Sequence, residues 1–211
     1  MSDFSKKWEN FWFYYKVHVI VAIAVAIVAG ITIYDKISYV EPDFFIDCFT
    51  DGTYIAYDTA EEMGKEIAQE EFFIDINNDG NKRVNINVFS AGAEDKTTGM
   101  QGGSAYELMD LKMAVGNSAI VFADKSVLKR YENKGILKDI SFIAEKAGMS
   151  GDDVYVSADG TLVGIKIDNT EFLKKHKVSG KDLYMALRVA VPTVDKEMTD
   201  LAPSVAEYIL K

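Results

Sequence analysis

The chain has 211 residues, a formal net charge of −10 at pH 7, one cysteine and two histidines. This length fits one ordinary domain with an additional anchor. A single cysteine excludes an intrachain disulfide and a metal site built on a cysteine pair. The acidic balance argues against nucleic acid as a partner, because phosphates repel a negative surface.

The first element in chain order is the apolar run Val17–Tyr34. As a helix it would be about 27 Å long, close to the hydrocarbon thickness of a bilayer. It therefore predicts a transmembrane helix, with the lipid bilayer as its partner. A cleaved signal peptide and a buried core helix are the alternatives. The first would have a shorter apolar core followed by a small-residue cleavage site, and the second would not be apolar on every face.

Lysines flank this run unevenly. Lys6, Lys7 and Lys16 precede it, whereas only Lys36 follows closely. The positive-inside rule then predicts a single-pass protein of the cell membrane, with a cytoplasmic N-terminus and an extracytoplasmic C-terminal domain. The reverse topology is the alternative. The predicted organisation is a tail (1–16), a transmembrane helix (17–34), a connector (35–42) and an α/β domain (43–211).

Small residues recur along the run at intervals of four. Ala22, Ala26 and Gly30 would share one face of the helix. Such a face allows a second transmembrane helix to approach closely. The stripe is equally compatible with a plain anchor, so both interpretations stay open.

The residues after the membrane alternate between strand and helix patterns. Strands are predicted at 43–50, 84–89 and 118–123, and helices at 59–70, 104–115 and 124–133. This order favours a parallel sheet with right-handed crossovers. Ala158-Asp159-Gly160 predicts a hairpin that makes the sheet mixed. The expected fold class is α/β: an N-terminal transmembrane helix, then a mixed, mostly parallel sheet covered by helices.

Three further elements are predicted towards the C-terminus. Short helices are expected at 141–147 and 170–176. Residues 183–191 could form a strand or a helix, and a strand is favoured because it would resume the sheet before Pro192. A helix is expected at 195–210, with Pro203 as a local break or the start of a second segment.

Polar residues follow the predicted parallel strands. Thr50, Asp51 and Tyr54 follow the first strand, Ser90 the second and Asp124 the third. In open parallel sheets, ligands bind beyond the carboxyl ends of the strands. These five residues are therefore the predicted ligand-binding residues. The alternative is that they form ordinary loops and helix caps, with Asp124 capping the helix that follows it.

One loop resembles the first half of a calcium-binding loop. Asp75, Asn77 and Asp79 occupy oxygen-ligand positions 1, 3 and 5, and Gly80 occupies the position of the bend. The twelfth position, where a bidentate acid is required, is Ile86. The sequence thus predicts no cofactor, with calcium as the one candidate that this loop leaves open. The alternative is a connector in which Asn and Asp tolerate left-handed backbone conformations.

Catalytic patterns are scarce. His18 lies inside the apolar run, and His176 stands in the run KKHK, typical of a solvated helix end. The sequence has no Gly-x-Ser-x-Gly elbow, no Walker loop and no Gly-x-Gly-x-x-Gly after a strand. These observations predict a protein that is not an enzyme.

The stretch Met100–Ser141 resembles part of a known family. Its pieces GNSAIV (116–121) and GILKDIS (135–141) are similar to segments in the first lobe of type II periplasmic-binding-like solute-binding proteins. The N-terminal WENFWFYYKVHVIVAI is similar to the anchors of small membrane proteins of Clostridia-like Firmicutes. The resemblance implies an anchored α/β lobe that binds a small ligand or peptide. A structural or accessory subunit contacting a partner membrane protein is the second interpretation, and an enzyme is the third.

Overall fold

The computed structural model describes residues 3–50, 55–90, 102–178, 180–190, 192 and 194–211. Within these ranges it does not describe the side chains of residues 3–7, 10, 35, 37, 38, 90 and 102–105. The chain divides into two compact units, Met1–Val40 and Glu41–Lys211.

The first unit is one long helix, α1 (Asp3–Ser38). Its segment Phe11–Tyr34 is long and apolar enough to cross a bilayer, with a mean hydropathy of 2.5 over its most apolar part. None of this part is buried, which contradicts the alternative of a buried core helix. The helix extends beyond the predicted anchor at both ends, into the tail and the connector.

The second unit is built on a six-stranded sheet in the order β2-β1-β3-β6-β5-β4. β1 is parallel to β2 and β3, and the other neighbours are antiparallel. Four of the six strands (β1, β2, β3 and β5) consequently point in one direction, which confirms the predicted mixed, mostly parallel α/β fold. The strands are β1 (Phe44–Thr50), β2 (Val84–Ser90), β3 (Ile120–Asp124), β4 (Val154–Val156), β5 (Leu162–Lys166) and β6 (Leu183–Leu187).

Helices cover both faces of this sheet. One core packs Phe44, Ile46 and Cys48 of β1 against the sheet-facing residues of several helices, and a second packs Phe49 on the opposite face. Burial on both faces explains why β1 is almost continuously apolar. The helices are α2 (Tyr57–Gln69), α3 (Gly102–Val115), α4 (Lys125–Tyr131), α5 (Ser141–Ala147), α6 (Glu171–Lys175) and α7 (Lys196–Ile209).

Pro203 does not interrupt the C-terminal helix, so the expected break there is wrong. It lies inside the single helix α7. A proline costs a helix one backbone hydrogen bond. The apolar face of α7, which includes Met198, Leu201 and Val205, is buried against the core. Tertiary packing of this face outweighs the local cost.

Candidate functional site

The carboxyl ends of β1 and β3 form the candidate site. The chain passes from β1 through α2 to β2 on one side, then returns across β1 through α3 to β3 on the other. Strand order therefore reverses between β1 and β3, the position at which open α/β sheets bind ligands. Phe49 is in register with Ala123, so Thr50 and Asp124 come next along the two strands and share one face. We call Thr50 and Asp124, together with the backbone of Ser90, the switch-point site.

Thr50 is fully buried, and its Oγ1 has no hydrogen-bond partner among the described residues. Leaving a buried polar group unsatisfied costs about 1–3 kcal/mol, so most buried hydroxyls are bonded. Ser118 and Thr170 follow that rule in this domain, since their hydroxyls donate to Asp47 and to the Ile167 carbonyl. Among the described residues, Thr50 thus carries an unsatisfied, buried hydroxyl at the carboxyl end of β1.

Asp124 is also nearly buried and stands at the N-cap position of α4. Its side chain makes no capping hydrogen bond there, so the predicted capping role is wrong.

Burial raises the pKa of the neighbouring Cys48 thiol, and the negative charges of Asp124 and Asp47 raise it further. Cys48 is accordingly protonated and unreactive at neutral pH.

The other predicted ligand-binding residues divide into two groups. Ser90 ends β2 in register with Thr50, so its backbone lies at the same edge of the sheet. Asp51 and Tyr54 lie outside the described residues. The topology therefore brings together the ends of all three predicted strands, at Thr50, Ser90 and Asp124.

In the predicted calcium loop, side chains accept hydrogen bonds from the loop's own backbone. An Asp75 carboxylate oxygen accepts from the Gly80 amide at 2.8 Å, and Asn77 Oδ1 accepts from the Asp79 amide at 2.9 Å. The Ile86 side chain is buried in β2 and cannot serve as a ligand. Among the described residues, no cluster of three or more His, Cys, Asp or Glu could hold a metal ion. Calcium binding by this loop stays a prediction.

The same loop is held in place by a buried acid from the start of the domain. Asp43 Oδ1 accepts hydrogen bonds from the Ile76 and Asn77 amides, and its Oδ2 accepts from the Arg83 amide. Asn78 and Gly80 have φ values of 57° and 85°, the left-handed conformation expected of residues in tight turns. The connector prediction therefore describes the backbone of this loop well.

The run KKHK predicts a solvated helix end for His176, and this prediction is wrong. Only 7% of its side chain is exposed, and its Nε2 lies 3.0 Å from Glu66 Oε2. Lys175 pairs with the same oxygen, and the Tyr208 hydroxyl donates to the other. Burial alone would raise the pKa of Glu66, but the hydrogen bonds from Lys175 and Tyr208 lower it. Glu66 thus ties α2 to the segments of α6 and α7.

A second buried polar group lies at the opposite ends of the strands, where β3 begins and β6 ends. The Arg188 guanidinium donates to the Met113 and Gly116 carbonyls at 2.9 and 3.0 Å, which holds the C-terminal end of α3. It also donates to Ser118, whose hydroxyl donates to the buried Asp47. Burial lowers the pKa of Arg188, and the charge of Asp47 opposes this effect. The group positions α3 on the sheet, away from the switch-point site.

No protein-family model, no curated protein and no solved structure matches the chain. The class that the fold defines is a mixed α/β domain following an N-terminal helix that is long and apolar enough to span a membrane.

Proposed function

We propose that the protein is a single-pass membrane protein whose extracytoplasmic α/β domain binds a small ligand or peptide at the switch-point site. The observation that carries the proposal is the buried Thr50 hydroxyl, which has no partner among the described residues. It lies beside Asp124 at the position where sheets of this topology bind ligands. The resemblance to one lobe of the solute-binding proteins points to the same role.

The chemistry near the site favours binding over catalysis. The Cys48 thiol is buried and its pKa is raised, so it is a poor nucleophile. The one histidine in residues 41–211, His176, pairs with Glu66. It therefore does not supply a general base next to a nucleophile, the usual arrangement in covalent catalysis.

The proposed location follows from the two ends of α1. The helix has an apolar segment of 24 residues, and the lysines are concentrated before it. Positive charge near a membrane helix favours the cytoplasmic side. We therefore place the N-terminus in the cytoplasm and residues 41–211 outside. Surface proteolysis of intact cells tests this: digestion of the domain supports the topology, and protection under conditions that admit the protease contradicts it.

The binding proposal is tested by a thermal-shift screen of the full-length protein in detergent. The panel contains amino acids, sugars, short peptides and ions. A ligand that binds only the folded protein raises its melting temperature. We expect at least one class of compound to raise the melting temperature of the wild type and not that of Thr50→Val. The Thr199→Val variant, which alters a hydroxyl on α7, should respond like the wild type. An equal shift in Thr50→Val, or no shift with any class, contradicts the proposal.

We also propose a second candidate function, as an accessory subunit that contacts a partner membrane protein through α1. Ala22 and Ala26 are exposed, and a side chain added at Gly30 would meet no atom within 4 Å. This small-residue face suits close approach of another helix. Replacing Ala26 and Gly30 with Leu should remove co-purification of a partner, whereas Val21→Leu and Val28→Leu on the opposite face should not. Unchanged co-purification would sink this candidate.

A further inference from the structure

We propose that the beginning of α1 binds the headgroup of a phospholipid with an outer ammonium group, through Lys16, Glu9 and the aromatic side chains beside them. This inference rests on the proposed membrane anchoring and specifies the lipid that the anchor contacts. The site is an open groove along α1, lined by Trp8, Glu9, Trp12, Phe13 and Lys16.

The groove follows one side of the helix. Trp8, Trp12 and Lys16 succeed one another at intervals of four residues, so they form a row along the axis. Glu9 and Lys16 are seven residues apart, which places them within about 20° of each other around the helix. Along the axis they are about 10 Å apart. A negatively charged and a positively charged residue thus lie along one side of the helix, with Glu9 farther from the apolar run than Lys16.

Aromatic rings occupy most of the remaining circumference at this level. Phe11 stacks between Trp8 and Tyr15, with ring centroids 5.9 and 5.2 Å apart. Phe13 and Tyr14 are 70% and 68% exposed and pack edge to face. Trp and Tyr prefer the headgroup level of a bilayer. The line from Glu9 to Lys16 is therefore a polar strip within an aromatic collar at the membrane surface.

The order of charges along this strip matches that of a zwitterionic headgroup. Lys16 directly precedes the apolar run and can extend its ammonium along the helix to the headgroup level. There it can donate to a lipid phosphate, the group nearest the acyl chains. Glu9 lies farther out, where the headgroup carries its ammonium, and the Trp8 and Trp12 rings can attract the same cation. A glycerol headgroup carries no cation, so it would lack the charge-assisted contact with Glu9 and the attraction to the tryptophan rings.

The chain contains two tryptophans, Trp8 and Trp12, so its tryptophan fluorescence reports on this groove alone. Full-length protein is reconstituted in vesicles of equal parts phosphatidylethanolamine and phosphatidylglycerol. In parallel samples, one lipid or the other carries acyl chains brominated near the headgroup, which quench nearby tryptophan. We expect about twofold stronger quenching by the brominated ethanolamine lipid, the size of preference that a partly exposed ion pair supports.

Three variants make the result specific. Glu9→Gln should abolish the preference, Lys16→Gln should weaken quenching by both lipids, and Lys36→Gln at the other end of α1 should leave the preference unchanged. Equal quenching by both lipids in a protein that floats with the vesicles overturns this inference and leaves the anchoring intact. A protein that does not float with the vesicles overturns the anchoring itself.

Discussion

Thr50 and Asp124 end neighbouring parallel strands, one step beyond the paired residues Phe49 and Ala123, and both are at least nine-tenths buried. The helix after β1 packs on one face of the sheet and the helix after β3 packs on the other, so both side chains stand where strand order reverses. A buried hydroxyl without a partner among the described residues is costly in this position. We attribute this cost to ligand binding, because a protein often becomes more stable when a residue that serves its function is replaced.

Thr50→Val should stabilise the free protein. Valine keeps the shape of threonine and removes the unsatisfied hydroxyl, so we expect a gain of about 1 kcal/mol in the free energy of unfolding. Urea denaturation in detergent measures the change. Ser118→Ala is the matched control, because it removes a hydroxyl bonded to Asp47 and should cost about 1–3 kcal/mol. A loss in Thr50→Val as large as that in Ser118→Ala would show that the Thr50 hydroxyl is satisfied.

Arg188→Met should destabilise the domain strongly. It leaves the Met113 and Gly116 carbonyls and the buried Asp47 without the charge that compensates them. Removing one member of a buried polar pair costs about 3–5 kcal/mol. Arg130→Met, which breaks a surface ion pair with Asp110, should cost less than about 1 kcal/mol. Similar losses in the two variants would contradict the structural role of Arg188.

Glu66 should contribute stability that depends on pH. Its folded-state pKa is below its ordinary value, so the contribution is present above the unfolded pKa and disappears as pH falls through the folded pKa. Glu66→Gln should therefore be less stable than the wild type at pH 7, and the difference should narrow below about pH 5. Chemical denaturation across this range measures the difference. A gap that stays constant with pH would exclude this linkage.

We expect the loop from Asp75 to Gly80 to bind calcium weakly. The twelfth ligand is missing because the Ile86 side chain has no oxygen atom, so we expect an effect only at millimolar calcium. A calcium titration should raise the melting temperature of the wild type in this range and leave the melting temperature of Asp79→Ala unchanged. Absence of any shift at millimolar calcium would remove the site.

The sequence was informative where one local pattern decides the structure. The parallel half of the sheet could be predicted from the apolar β1, the amphipathic α2 and the alternation in β2. The rule that parallel strands end at the same side of the sheet then predicts that Thr50 and Asp124 lie together. Long-range partners decided the rest. His176 meets Glu66 across 110 positions, and Arg188 meets Met113 across 75. No spacing in the sequence marks such pairs.

Two errors have the same origin. The helix-breaking tendency of proline predicts that Pro203 interrupts α7. The preference of aspartate for the N-cap position predicts that Asp124 caps α4. Burial of one face of α7 keeps that helix continuous, and the Asp124 side chain makes no capping bond. Tertiary structure thus overrides local preference where a residue contacts the core.

We propose that the Thr50 side chain contacts the ligand, and methyl NMR measures this contact. Threonine methyl groups are labelled in the full-length protein, and the Thr50 resonance is assigned by its loss in Thr50→Val. A ligand identified by the thermal-shift screen should move the Thr50 resonance and leave that of Thr199 on α7 in place. A Thr50 resonance that stays unchanged at saturating ligand would contradict it.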